Sequence, residues 1–180
     1  MTLSKKVILL GHYGVGKSSL TRRFVHQKFS DQYRTTIGVN IEKKVVALND
    51  DEVSMIIWDI AGESSHQKVP QSYKLGAHGV IYVVDLTRPA TYEQLDTEIV
   101  NLRKYLSNVP VLVVGNKKDL FTEKERTDII KQLPLSPFAL SSAKTGENVD
   151  VIFTELAQRM VWTTRSYRKN WRIFTNALNT

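Results

Sequence analysis

The 180-residue sequence predicts an α/β domain built on a six-stranded, mostly parallel sheet whose second strand is antiparallel, with helices flanking it. Three observations predict it. Six short apolar runs alternate with amphipathic segments; one neighbouring pair of runs is joined by a short polar turn; the others are separated by helix-length stretches, which demand crossover connections and parallel strands.

The apolar runs are Lys6 to Leu10, Val39 to Leu48, Val53 to Asp59, Val80 to Asp85, Val109 to Gly115 and Phe138 to Leu140. Most are rich in Val and Ile and read as buried strands. Asn49-Asp50-Asp51 between the second and third runs has turn composition, so these two form a hairpin. Helices are predicted over Lys17 to Gln27, around Ser65 to Leu75, and over Tyr92 to Leu106, where Leu95, Ile99, Leu102 and Leu106 share a face. Thr122-Glu123-Lys124-Glu125 is a capping-box pattern opening a short helix to about Leu133, stopped by Pro134. A last helix carries Val149, Ile152, Phe153, Leu156 and Met160 on one stripe. The expected organisation is one domain over 1–160 and a basic, aromatic tail, 161–180, that extends this helix.

Composition closes several function classes. Hydrophobic residues make up 42% and charged residues 24%, the profile of one globular domain with a real core, and cysteine is absent. Without cysteine there is no disulfide framework, no Cys-based zinc or iron–sulfur site, and no attachment point for prenyl or palmitoyl chains. The opening apolar run is too short for a signal-peptide core or a membrane span, so a cytoplasmic location is expected. The net charge of +7 is unevenly placed: Arg159, Arg165, Arg168, Lys169 and Arg172 fall in 159–180, which holds no acidic residue, and the body is close to neutral. That distribution argues against a nucleic-acid partner for the body.

Gly11-His12-Tyr13-Gly14-Val15-Gly16-Lys17-Ser18 fits G-x-x-x-x-G-K-[ST] and lies between the first strand and first helix, the context that gives the pattern meaning. Glycines let backbone N–H groups converge on phosphate oxygens, and the helix N-terminus adds its positive end. Lys17 is the candidate for the β and γ phosphates and Ser18 for Mg²⁺. The loop alone leaves the base open, since ATPases and nucleotide kinases share it. Asn116-Lys117-Lys118-Asp119 at the end of the fifth strand points to guanine, because a carboxylate accepts from its N1–H and N2 amine whereas adenine leaves it unpaired. Ser141-Ser142-Ala143-Lys144 follows the sixth strand.

Together these residues resemble the Ras superfamily of small GTPases, nearest to its Rab branch, over roughly residues 5–160. GHYGVGKS (11–18), Thr36 in TTIGV, WDIAG (58–62), NKKD (116–119) and SAK (142–144) stand in the family's order. The resemblance implies a P-loop G domain that binds GTP or GDP with Mg²⁺ and works as a molecular switch. It implies that Gly14, Val15, Gly16, Lys17, Ser18 and Ser19 hold phosphates, that Phe29 lies against the guanine, and that Tyr33 closes over the phosphates. Ser18 and Thr36, with Asp59 through water, are the implied Mg²⁺ ligands, and Thr36 and Gly62 the implied γ-phosphate sensors. Asn116, Lys117, Asp119, Ser142, Ala143 and Lys144 form the implied base site: Asn116 ties the base loop to the phosphate loop, Lys117 stacks its stem on the purine, and the Ala143 N–H meets the guanine carbonyl. Lys17, Gly62 and Glu63 are the implied catalytic set. Ile41, Trp58 and Tyr73 match the hydrophobic triad that Rab effectors read in the GTP state, and core packing is an equal reading of them.

Two departures bear on chemistry. Glu63 stands where the family has the glutamine that orients the attacking water; a carboxylate cannot donate as an amide does, and when ionised it sets negative charge beside the γ-phosphate. Slow hydrolysis is the expectation, with general-base action by Glu63 as the alternative. Tyr13 occupies a position held by glycine or another small residue in the family, where its ring crowds the γ-phosphate, its hydroxyl donates to the γ-phosphate, or the ring points outward. A nucleotide-bound scaffold that does not turn over, and an ATP-using P-loop enzyme, remain as rivals. In the tail, Met160, Thr164, Tyr167, Trp171, Phe174 and Leu178 continue the helical stripe with basic residues beside it. This pattern suits an anionic membrane surface or a partner's groove, and also packing on the domain or disorder.

Overall fold

A computed structural model of the chain describes residues 2–30, 35–49, 51–62 and 69–177, with side chains to residue 163. Tyr33, Glu63 and the run Ser64 to Gln67, and the tail side chains from Thr164 onward, lie outside the described residues.

Six strands form one sheet: β1 (Thr2–Leu10), β2 (Val39–Ala47), β3 (Glu52–Ile60), β4 (Gly79–Asp85), β5 (Val111–Asn116) and β6 (Ala139–Leu140), in the order β2-β3-β1-β4-β5-β6. Only β2 runs antiparallel, paired with β3 so that Ile41 faces Trp58 and Val39 faces Ile60. The predicted hairpin and parallel pairings are therefore present. The chain leaves β1 to build β3 and β2 on one side and returns to place β4 on the other. This makes the carboxyl end of β1 a topological switch point, where a crevice opens in sheets of this kind. The ends of β1, β3, β4 and β5 bring Leu10, Asp59, Asp85 and Asn116 to that edge.

Both faces of the central strands β1, β3, β4 and β5 are covered, which is why they read as continuous apolar runs, whereas edge strand β2 stays largely exposed. Val7 and Leu9 point to a layer formed by α1 (Lys17–His26) and α5 (Val149–Ala177); Ile8 and Leu10 point to α3 (Leu95–Tyr105). Phe24 of α1 stacks on Phe153 of α5 with ring centroids 3.9 Å apart and planes 4° from parallel. α4 (Glu123–Gln132) carries the predicted capping box: Thr122 Oγ1 accepts from the Glu125 N–H, and the Glu125 carboxylate accepts from the Thr122 N–H at 2.7 Å.

Several boundaries differ from expectation, among them β1, which begins at Thr2 rather than Lys6 and pairs with β3 from there. α3 starts at Leu95 rather than Tyr92, because Pro89–Thr91 forms a separate 3-10 turn whose Thr91 hydroxyl bonds the carbonyls of Asp85 and Arg88. β5 starts at Val111 because Pro110 has no N–H to give a ladder. The described part of the helix expected around 65–75 is α2, Gln71–Lys74, entered through an extended Pro70 and closed by an extended Leu75.

Candidate functional site

The phosphate loop connects β1 to α1 and takes its shape from two close approaches. Gly16 has φ +101°, and a Cβ there would stand 2.2 Å from the Asn116 side-chain nitrogen, so no other residue fits. Gly62 abuts the loop from the β3 side, where a Cβ would stand 2.5 Å from Tyr13 Cα. α1 begins with Gly16 as its N-cap, has no side-chain cap and no acid in its first turn. Its first N–H groups therefore lack intrahelical partners and face the cleft with the positive end of the helix dipole. Lys17 is buried, its ammonium donating to the carbonyls of Gly11 at 2.9 Å and His12 at 3.0 Å, which curls the loop around the amine.

Beside Lys17 three oxygen-bearing side chains meet. The Ser18 and Thr36 hydroxyls are 2.9 Å apart, and Asp59, buried at the end of β3, faces them. Burial pushes the Asp59 carboxyl above the ordinary carboxylate range, opposed by the Ser18 hydroxyl, the charges of Lys17 and Arg22, and the Thr36 hydroxyl. Its Oδ1 is buried and has no hydrogen-bond partner. An orphaned carboxylate oxygen beside two hydroxyls is a hard oxygen donor set, which fits Mg²⁺ held with phosphate and water.

The other end of the cleft is built from β5 and the loop after β6. Asn116 is buried; its Nδ2 donates to the Val15 carbonyl at 2.9 Å, and its Oδ1 accepts from the Ala143 N–H at 3.2 Å. The base loop and phosphate loop are thus joined by one amide. The Ala143 N–H, which the resemblance assigns to the guanine carbonyl, is engaged by Asn116 in this structure. Arg23 of α1 holds the carbonyls of Ala143, at 2.9 Å, and Lys144. Lys118 pairs with Glu147, so of the two lysines in NKKD only Lys117 lines the cleft, together with Asp119.

The cleft measures about 300 Å³ and is lined by Tyr13, Gly14, Gly16, Lys17, Ser18, Ser19, Phe29, Thr36, Gly62, Asn116, Lys117, Asp119, Ala143 and Lys144 among others. Val15 and Ser142 are buried outside this lining; Val15 belongs to the core and has only its backbone to offer, and Ser142 Oγ braces its loop by accepting from the Thr145 N–H. A larger cleft, about 850 Å³, lies at the opposite end of the sheet among Leu48, Val109, Arg159 and Trp162 and holds none of the motif residues.

A sequence profile of the Ras family matches residues 6–162, the whole span that builds this cleft. The chain is a Ras-superfamily small GTPase of the Rab-like branch. Ras-related protein Rab-1 of Theileria parva is 34% identical, over 97% of this chain and 82% of the relative. SEC4 of Saccharomyces cerevisiae is 36% identical over 85% and 73%, and human Rab-4A is 35% identical over 87% and 74%. Ras-family GTPases bind GTP and GDP with Mg²⁺ and hydrolyse GTP.

This small GTPase also contains site residues that sequence reasoning passed over. Asp85, fully buried at the end of β4, accepts from Lys117 Nζ at 2.6 Å, Arg88 Nε at 2.8 Å and the Thr87 hydroxyl at 2.6 Å, and the second guanidinium arm of Arg88 reaches the Tyr13 carbonyl at 2.8 Å. Burial alone raises the Asp85 carboxyl, but the bonds from Lys117, Thr87 and Arg88 outweigh it and hold the group below the ordinary value. The available signal was an acid ending an otherwise apolar run. Arg22, another lining residue, had none, since a basic residue on an amphipathic helix reads as solvated. His12 and Tyr82 meet on Glu98 of α3, tying the phosphate loop to the far helix layer. In the triad, Trp58 and Tyr73 have ring centroids 6.1 Å apart and are partly buried, while Ile41 is half exposed on edge strand β2. They combine packing with an accessible face.

Proposed function

We propose that the chain is a Mg²⁺-dependent guanine-nucleotide switch that hydrolyses GTP slowly. The observation that carries the reading is one cleft with two chemically distinct ends: Lys17, the open N–H groups of α1 and the Ser18–Thr36–Asp59 oxygen cluster at one, Asp119 and Lys117 at the other, joined by the Asn116–Val15 bond. The first end suits phosphates, the second a guanine. Ser18, Thr36 and Asp59 would hold Mg²⁺, which neutralises phosphate charge when bound. Lys17 adds positive charge at the β and γ phosphates, and Gly62 brings its N–H beside the phosphate loop. Asp119 selects guanine by accepting from two donors that adenine does not present together.

Slow turnover follows from Glu63 in the water-orienting position, where an ionised carboxylate neither donates to the transition state nor tolerates more negative charge nearby. Effector proteins are expected to read the Thr36 segment and the Ile41, Trp58 and Tyr73 face, and the tail to engage an anionic membrane surface. Single-turnover GTP hydrolysis tests the core of the proposal. Wild type is expected to turn over measurably but slowly, with Glu63→Gln faster. Absence of any wild-type turnover would identify a nucleotide-bound scaffold, and preferential recovery of ATP or ADP with the purified protein would reject the guanine assignment.

A further inference from the structure

Among the described residues, three contacts fix Tyr13. Its carbonyl accepts from Arg88 Nη2 at 2.8 Å, and Arg88 is anchored on buried Asp85. Its backbone lies against Gly62 with no room for a Cβ between them. Its hydroxyl stands 3.2 Å from Thr35 Oγ1. Thr35 directly precedes Thr36, whose hydroxyl is 2.9 Å from Ser18 Oγ. Tyr13, lining the cleft with Lys17, Ser18, Thr36 and Gly62, therefore spans from the phosphate loop to Thr35 and its neighbour Thr36.

We propose that Tyr13 is a positioning residue, a latch that holds Thr35 and Thr36 against Ser18 and Asp59 whichever guanine nucleotide is bound. A loop held only by the γ-phosphate opens when that phosphate leaves. A tether that belongs to the protein contributes in both states, so it matters most where the phosphate contact is missing and narrows the difference between them. One exposed, neutral hydrogen bond has modest net strength, which sets the expected effect at about three- to tenfold in the GDP state. The proposal rests on the guanine-nucleotide reading only for its two-state comparison; the tether itself involves no nucleotide.

The test is amide hydrogen exchange at residues 35–38 of the full chain with Mg²⁺ and either GDP or a non-hydrolysable GTP analogue. Wild type is compared with Tyr13→Phe, Thr35→Val and the double variant. Tyr13→Phe deletes only an exposed hydroxyl, and a thermal melt verifies that the variant is folded. The expected result is exchange roughly three- to tenfold faster in the GDP form of each single variant, less than about twofold faster in the GTP-analogue form, and no further increase in the double variant. Unchanged exchange in Tyr13→Phe, or effects of the two single variants that multiply in the double, would overturn the latch. A chain that retains no guanine nucleotide would sink the functional reading instead, and the same cycle on the nucleotide-free protein would still decide the latch.

Discussion

Asp85 shows how much a single residue does when its surroundings are assembled from distant parts of the chain. It receives one cation from three residues away and another from the base-recognition motif, and through Arg88 it steadies the phosphate-loop carbonyl at Tyr13. Because its carboxyl titrates lower in the folded protein than in the unfolded chain, the folded state binds fewer protons there. Its stabilising contribution is complete above the unfolded value, about 4, and is lost as pH falls through the folded value. Asp85→Asn is expected to lower stability at pH 7 by about 2 kcal/mol, the scale of charge-assisted bonds forfeited to a buried acceptor. Urea unfolding across pH checks this: the gap between variant and wild type should close below about pH 4, and a pH-independent gap would mean that the ion pairs contribute nothing. In the sequence Asp85 was only a strand-end acid, since nothing local announces that it is sealed from water.

Among the elements, α4 depends most on its own ends. None of its residues is fully buried and among them Ile129 alone is a partly buried hydrophobic packed on the core, so it gains less than α1, α3 and α5 do from apolar contacts with the sheet. Its reciprocal Thr122–Glu125 cap satisfies donors that the first turn would otherwise leave to water. Thr122→Ala is expected to cost about 1 kcal/mol, read as faster amide exchange confined to 123–132 rather than across the sheet. Equal acceleration in β1 and β4 would show that α4 unfolds only with the whole domain. The cap was readable because it is written in four consecutive residues. The start of α3 was not, because Pro89 and the Thr91 hydroxyl settle the chain into a 3-10 turn through bonds to Asp85 and Arg88.

At the scale of the molecule, α5 joins the domain to the tail without interruption. Its apolar stripe is in the core through Val161, whereas Trp162 is largely exposed, and the helix continues to Ala177. No described helix is long and apolar enough to cross a membrane. Removing 164–180 leaves every described core residue, through Val161, in place. The truncated chain is expected to keep its GTP affinity within about twofold and to lose binding to vesicles containing phosphatidylserine, with salt weakening the full chain's binding in the same assay. Undiminished vesicle binding by the truncated chain would remove the tail from that role.

The family motifs, the six strands, the hairpin and the capping box were determined by the sequence itself, because each is a pattern of neighbouring residues whose chemistry is local: glycines and a lysine between a strand and a helix, alternating apolar runs, a hydroxyl three residues before a carboxylate. The strand order, the burial of Asp85, the joining of Asn116 to Val15 and the reach of the Tyr13 hydroxyl to Thr35 were decided only by tertiary structure. These depend on which distant backbone segments the sheet brings within hydrogen-bond distance.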